Sequence, residues 1–263
     1  MLFDTHAHLN DVQFDQDREE VIRRAREEFD VRYILNIGYN KETILTTLDL
    51  IEQYDFIYAA VGWHPHDAET CTEKELEWIR SLTKHPKVVA IGEIGLDYYR
   101  HYAPKAKQQA IFRKQIQLAR EVKLPIVIHN READADILQI LKEERAAEVG
   151  GIMHCFTGNI ERMKQVVAQN FLIGLGGIVT FKNAASVQEV AKQVPLDALV
   201  IETDCPYLAP HPYRGKRNES GYVRLVAEKI AELRGISVEA LAASTTENAL
   251  RLFNIPTMER EGS

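Results

Sequence analysis

What most constrains this chain is an alternation: eight short apolar runs, separated by stretches with helical periodicity. The runs read MLFDTH (1–6), VRYILNIG (31–38), FIYAAVGWH (56–64), KVVAIGEIG (87–95), PIVIHN (125–130), GGIMHCF (150–156), FLIGLGG (171–177) and ALVIETD (198–204). Each is bounded by Gly, Pro, Asp or Asn and is nearly continuous in apolar character, as a parallel strand covered on both faces must be. Between the runs, DREEVIRRAREE (17–28) places Val21, Ile22 and Ala25 on one face, and KQQAIFRKQIQLAREV (107–122) repeats apolar residues at spacings of three and four. KELEWIRSL (74–82) and VRLVAEKIAELRG (223–235) behave alike, the second ending at a Gly stop. Strand followed by helix, eight times over, predicts an α/β fold of the closed (β/α)8 TIM-barrel type. An open doubly wound sheet satisfies the same alternation. No linker, composition shift or low-complexity tract divides the 263 residues, so residues 1–263 are expected to form a single barrel domain.

Composition narrows the partners. The hydrophobic fraction of 45% and charged fraction of 27% are those of an ordinary globular protein. A net charge of −7 argues against a basic coat for non-specific nucleic-acid binding, yet leaves room for a local basic patch and metal ions. Cys71, Cys155 and Cys205 are too few for a disulfide framework and lack finger spacing, which suggests a reducing compartment. The N-terminus lacks a signal-like apolar segment and no run is long enough to span a bilayer, so a cytoplasmic chain without a membrane partner is expected. No exposed heptad or apolar helix stands out, and a monomer is expected.

The informative polar residues sit where the runs end. In FDTHAHL, His6 and His8 are two apart and therefore project from the same side of a strand. His64 closes the third run, Glu93 lies near the end of the fourth, His129 of the fifth, His154 of the sixth and Asp204 of the eighth. In a barrel these ends converge on one face, where active sites are built. Any one of them alone reads as a hydrogen-bonded structural residue; at the same end of successive strands they read as a metal site. His6, His8, His129, His154, Glu93 and Asp204 suit Zn²⁺, Mn²⁺, Fe²⁺ or Ni²⁺, with Mg²⁺ compatible on the carboxylate side. Six ligands exceed one four-coordinate ion but suit two divalent ions sharing a carboxylate, and Glu93 is the expected bridge. Asp204 is expected to ligate and to orient or deprotonate the attacking water. Cys155 and Cys205, as strand neighbours of His154 and Asp204, are expected to face away as ordinary buried or half-buried residues. Glu202 shares the parity of Asp204 and reads equally as a partner for a ligating histidine or as a salt bridge in the barrel mouth.

The loops around that face are locally basic. DYYRHYAPKAK carries Arg100, His101, Lys105 and Lys107, Arg131 follows His129, and PYLAPHPYRGKRN interleaves Arg214, Lys216 and Arg217 with Tyr207, His211 and Tyr213. Cations for a phosphodiester backbone and rings for base stacking are what a single-stranded polyanion needs. Arg131, Arg214, Arg217 and Tyr207 are the expected substrate contacts, Lys105 and Lys107 read as solvated, and His64 is assigned to the scissile phosphate.

Taken together and in order, FDTHAHLN, VGWHPH, IGEIGLDYY, IVIHNRE, MHCFTG and ETDCPYLAPHPYRGKRNE closely resemble the TatD-type metal-dependent deoxyribonucleases of the amidohydrolase superfamily. TTENALRLFNI (245–255) is similar to that family's terminal helix. The resemblance implies a (β/α)8 barrel and a binuclear centre in which His6, His8, Glu93 and Asp204 hold one ion and Glu93, His129 and His154 the other. It further implies metal-dependent DNA hydrolysis, including 3′-to-5′ exonuclease action, with single-stranded DNA ends as substrate. Related barrels often bridge their metals with a carboxylated lysine; Glu93 here favours the TatD branch. Two other readings stand beside it: amide or ester hydrolysis, including deacylation of an aminoacyl-tRNA, and a nucleic-acid-binding protein without catalysis.

Overall fold

The structure is a computed structural model and describes residues 1–257. Strands β1 (Leu2–Ala7), β2 (Val31–Gly38), β3 (Ile57–Val61), β4 (Val88–Asp97), β5 (Ile126–Arg131), β6 (Gly151–Met153), β7 (Phe171–Leu175) and β8 (Leu199–Ile201) form one parallel sheet in chain order. The two edges meet. Ala7 bridges Cys205, the His8 N–H donates to the Cys205 carbonyl at 2.8 Å, and the Asp204 N–H donates to the His6 carbonyl at 2.8 Å. The Thr5 hydroxyl adds a bond to the Ile201 carbonyl at 3.0 Å. The fold is thus the closed (β/α)8 barrel, not the open sheet, and its seam runs through residues that flank the expected ligands.

Around the sheet lie α1 (Arg18–Glu27), α2 (Lys41–Gln53), α3 (Glu73–Leu82), α4 (Lys105–Val122), α5 (Asp134–Glu143), α6 (Ile160–Val167), α7 (Ala185–Gln193), α8 (Val223–Arg234) and α9 (Val238–Phe253). Local chemistry sets several of their ends. Asn40 and Thr72 start α2 and α3 by accepting backbone N–H groups, with Thr43 and Glu75 returning the bond in capping boxes, each cap contributing about 1 kcal/mol. Gly235 ends α8 at φ 65°, a left-handed stop that costs a glycine little. Val21, Ile22 and Ala25 are the buried face of α1, as their spacing predicts.

Alternation along each strand divides the core. Tyr33, Leu35 and Ile37 of β2 pack inside the barrel with Phe3, Val127 and Val200, whereas Ile34 packs outward with Ile91, Ile128 and Ile173 beneath the helices. Both faces are apolar, so the runs lack a polar-apolar alternation. The interior is closed from below: Leu250 and Phe253 of α9 join the inner cluster, and Phe253 meets Phe3 near the start of β1 with ring centroids 6.0 Å apart. The opposite, C-terminal rim stays open. Several strands are shorter than their apolar runs; β6 stops at Met153 and β8 at Ile201, which leaves His154, Cys155 and Asp204 on the loops beyond. Among the described residues no helix is long and apolar enough to cross a membrane.

Candidate metal centre

At the open rim the side chains converge as their strand positions require. The Nε2 atoms of His6 and His8 stand 3.2 Å apart, and the Asp204 Oδ1 is 3.7 Å from the first and 3.3 Å from the second. Glu93 lies between this group and the next. Its Oε2 is 3.5 Å from His6 Nε2, while its Oε1 is 2.8 Å from His129 Nδ1 and 3.5 Å from His154 Nε2. The two carboxylate oxygens thus face different histidine groups. His6, His8, Glu93 and His154 are each at most 6% exposed, so these lone pairs meet in a largely dry pocket. The donor set fits divalent cations: neutral imidazoles and carboxylates converge on shared space that one proton cannot serve equally.

Behind the donors stands a second ring of carboxylates. His154 donates from Nδ1 to Glu202 Oε1 at 2.9 Å, and His129 directs Nε2 to Asp97 Oδ2 at 3.1 Å. Such partners fix the ring orientation and tautomer of a ligating histidine. Of the two readings open for Glu202, the geometry selects the histidine partner. Asp97 is a residue the sequence reading missed. It shares the period-two face of Glu93 on β4, so strand parity was the available signal, and it was obscured because Asp97 itself opens the turn-like DYY. His66, also missed, directs Nε2 to the same Asp97 oxygen at 2.7 Å. His6 and His8 lack this support, their buried Nδ1 atoms having no partner; packing orients His6, which stacks on His154 with centroids 3.6 Å apart.

Charge in the pocket follows from these contacts. Burial, and then the neighbouring His129, hold His64 well below the ordinary imidazole value; burial and His154 lower His6. For Glu93 burial pushes upward but is outweighed by His154 and by the hydrogen bond to His129, so the carboxylate stays well below its usual range. Asp204 is lowered likewise, against burial, by His8 and His154. His154 in turn is raised to about 10, because Glu202 and Glu93 overcome its burial. The buried carboxylates thus favour protonated His154 and His129, while His6 and His64 are held toward the neutral form. A divalent cation supplies that positive charge through the same nitrogens.

The loop closing the site is anchored from β1. Asp4 accepts from the Thr203 N–H at 2.8 Å, the Thr203 hydroxyl at 2.7 Å and the Ser220 hydroxyl at 2.7 Å, which holds the peptide preceding Asp204. His64 accepts the His66 N–H on Nδ1 at 3.1 Å, which turns its Nε2 toward Glu93 Oε1 at 3.8 Å. Tyr207 donates its hydroxyl to Asp11 Oδ2 at 2.8 Å, and its ring centroid is 6.0 Å from that of His8. Arg131 lies over the Tyr99 ring at 4.1 Å and Arg214 over Phe181 at 4.3 Å. Arg217 is differently placed: it grips both Asp17 oxygens at 2.8 and 2.6 Å and the Gln13 carbonyl at 2.7 Å, which commits it to the chain ahead of α1. The expectation that Cys155 faces away from His154 fails, because β6 has already ended and Cys155 sits at φ 47°, where strand alternation no longer applies. Cys205 is fully buried, as expected.

A (β/α)8 barrel with histidines and carboxylates gathered at the C-terminal ends of its strands has the architecture of a metal-dependent hydrolase. Comparison with known proteins makes the class specific: the model of the TatD related DNase family matches residues 3–254, and the chain belongs to that family. It is 58% identical to the metal-dependent hydrolase YabD of Bacillus subtilis, over 97% of this chain and 100% of that protein. It is 35% identical to the 3′-5′ ssDNA/RNA exonuclease TatD of Erwinia tasmaniensis, over 97% of this chain and 100% of that one. Among solved structures, the TatD homolog YjjV of Escherichia coli superposes with a TM-score of 0.91 at 30% identity, covering 97% of this chain and 98% of its own.

Proposed function

We propose that this chain is a metal-dependent phosphodiesterase that removes nucleotides from the 3′ ends of single-stranded DNA, using two divalent ions. The observation that carries the two-ion reading is the position of Glu93, whose oxygens face His6 on one side and His129 with His154 on the other. His6, His8, Glu93 and Asp204 would hold one ion; Glu93, His129 and His154 the other. When bound, such ions lower the pKa of an attacking water and polarise the phosphate oxygens. Asp204, kept ionised by His8 and His154, accepts the proton of that water. His64, with Nδ1 occupied by the His66 N–H, presents Nε2 to a non-bridging oxygen of the scissile phosphate. Arg131 and Arg214 pair with flanking phosphates, Tyr207 offers a ring to a base, and Arg217 acts indirectly by tying the loop after β8 to residues 13–17. Support for nucleic acid comes from these rim groups and from the exonuclease named among the relatives.

The test is a time course on a 5′-labelled single-stranded DNA oligonucleotide with EDTA, Mg²⁺, Mn²⁺ or Zn²⁺. We expect a metal-dependent ladder shortening from the 3′ end. Asp204→Asn is expected to lower the rate by about 10²–10⁴-fold while substrate binding persists, and near-normal turnover in that variant would sink its assignment as base. Glu93→Ala is expected to release at least one ion by elemental analysis. Absence of cleavage with every metal, from folded and metal-loaded protein, would transfer the reading to ester or amide substrates; tight DNA binding without any turnover would point to a non-catalytic binding protein.

A further inference from the structure

We propose that Cys155 is a soft metal ligand, forming with His154 and Asp204 a seat for thiophilic ions of the Zn²⁺, Co²⁺ and Cd²⁺ class. The inference rests on the two-ion reading above, draws His154 from one of its ligand sets and Asp204 from the other, and adds a thiolate. Its basis is geometric. One donor atom each from His154, Cys155 and Asp204 lie within 4.8 Å of one another. The Cys155 N–H donates to Glu202 Oε1 at 2.6 Å, and the same oxygen accepts from His154 Nδ1 at 2.9 Å. A single carboxylate thus holds the His154 ring and the Cys155 backbone together. The Cys155 Sγ has no hydrogen-bond partner among the described residues, and the side chain is only partly buried. Neither Cys71 nor Cys205 shares such a grouping among the described residues, and both are buried.

Another group of rings, His64, His66 and His129, is also close enough to hold an ion. There, however, His66 and His129 both direct Nε2 to the Asp97 carboxylate as N–H donors, so those nitrogens offer no lone pair to an ion. Nitrogen, sulfur and carboxylate oxygen together favour borderline and soft ions over Mg²⁺ or Mn²⁺. On binding, the thiol proton leaves to solvent and a sulfur–metal bond replaces the S–H bond. The centre then sorts ions by softness: hard ions use its oxygens and imidazoles, and thiophilic ions are drawn toward residue 155.

The experiment is a titration of the metal-free full chain with CoCl₂, read by absorption and by calorimetry. The wild type is expected to develop a sulfur-to-cobalt charge-transfer band in the near ultraviolet. Cys155→Ser should lose the band and bind Co²⁺ about tenfold or more weakly, while Cys71→Ser and Cys205→Ser keep it. Heat of Co²⁺ binding to the wild type without the band overturns the proposal and leaves the two-ion reading standing, as does a band that persists in Cys155→Ser. No Co²⁺ binding to folded wild type overturns both. If Cys155→Ser does not fold, alkylation of the wild type decides the matter: bound Co²⁺ should protect Cys155, mapped by peptide mass, and an unprotected thiol counts against the proposal.

Discussion

Asp97 is not among the expected metal ligands, yet it holds a ring that is. Its Oδ2 faces His129 Nε2 at 3.1 Å and His66 Nε2 at 2.7 Å, and its Oδ1 accepts the Arg100 N–H at 2.9 Å. Asp97→Ala should therefore weaken metal binding by about 10–100-fold in a competition titration with a fluorescent chelator. His66→Ala, which leaves the Asp97–His129 contact in place, should do much less; equal losses would show that the whole chain of contacts acts as one. Gly174 serves His154 in a similar way from behind. A Cβ there would come within 2.5 Å of Glu202 Oε2, so Gly174→Ala should push Glu202 off its partner and destabilise the fold by about 1–3 kcal/mol, read as a lower urea midpoint. At this scale the sequence was legible where parity applied. His6 with His8, and Glu93, His129, His154 and Asp204 at strand ends, are brought together as their positions required. Asp97 went unread because, as the Asp of DYY, it resembles a turn starter, and Cys155 was misplaced because alternation was extended past the real end of its strand.

Elements tell a parallel story. Every expected run overlaps an observed strand and β2 matches its run residue for residue, while β1, β4 and β5 extend past their runs to Ala7, Asp97 and Arg131. The overshoot of two or three residues is at the C-terminal ends of β3, β6, β7 and β8, which give way to loops before their runs end. Those tails are mixed in character and carry His64, His154, Glu202 and Asp204 to the rim. α9 was visible as TTENALRLFNI, but its place beneath the barrel was not, since no local pattern reports which hole a helix stoppers. Its contribution should be large: Phe253 is 4% exposed and sits against Phe3. Phe253→Ala is expected to cost about 3–5 kcal/mol in denaturant unfolding. Metal content at low temperature should stay unchanged, because α9 lies at the end of the barrel opposite the ligands.

For the molecule as a whole, the alkaline limit follows from its tyrosines. Burial raises Tyr39, Tyr98 and Tyr222 to about 12 from an ordinary 10.0, helped at Tyr98 by Asp136 and at Tyr222 by Glu219. Between those values the folded chain keeps protons that the unfolded chain has lost, so stability must fall as pH rises through that window. Denaturation midpoints taken stepwise across it should drop, with tyrosinate absorbance rising together with unfolding; a flat profile would contradict the assignment. The closure of the barrel has a further consequence, one of timing. The seam joins Ala7 to Cys205, and the expected ligands span positions 6 to 204, so the first histidines wait through most of synthesis for the carboxylate that completes their set. No growing chain that ends before the eighth strand can assemble the whole centre. A cell making this hydrolase would therefore carry no half-built version holding the whole ligand set, and competence would arrive with the last turn of the barrel.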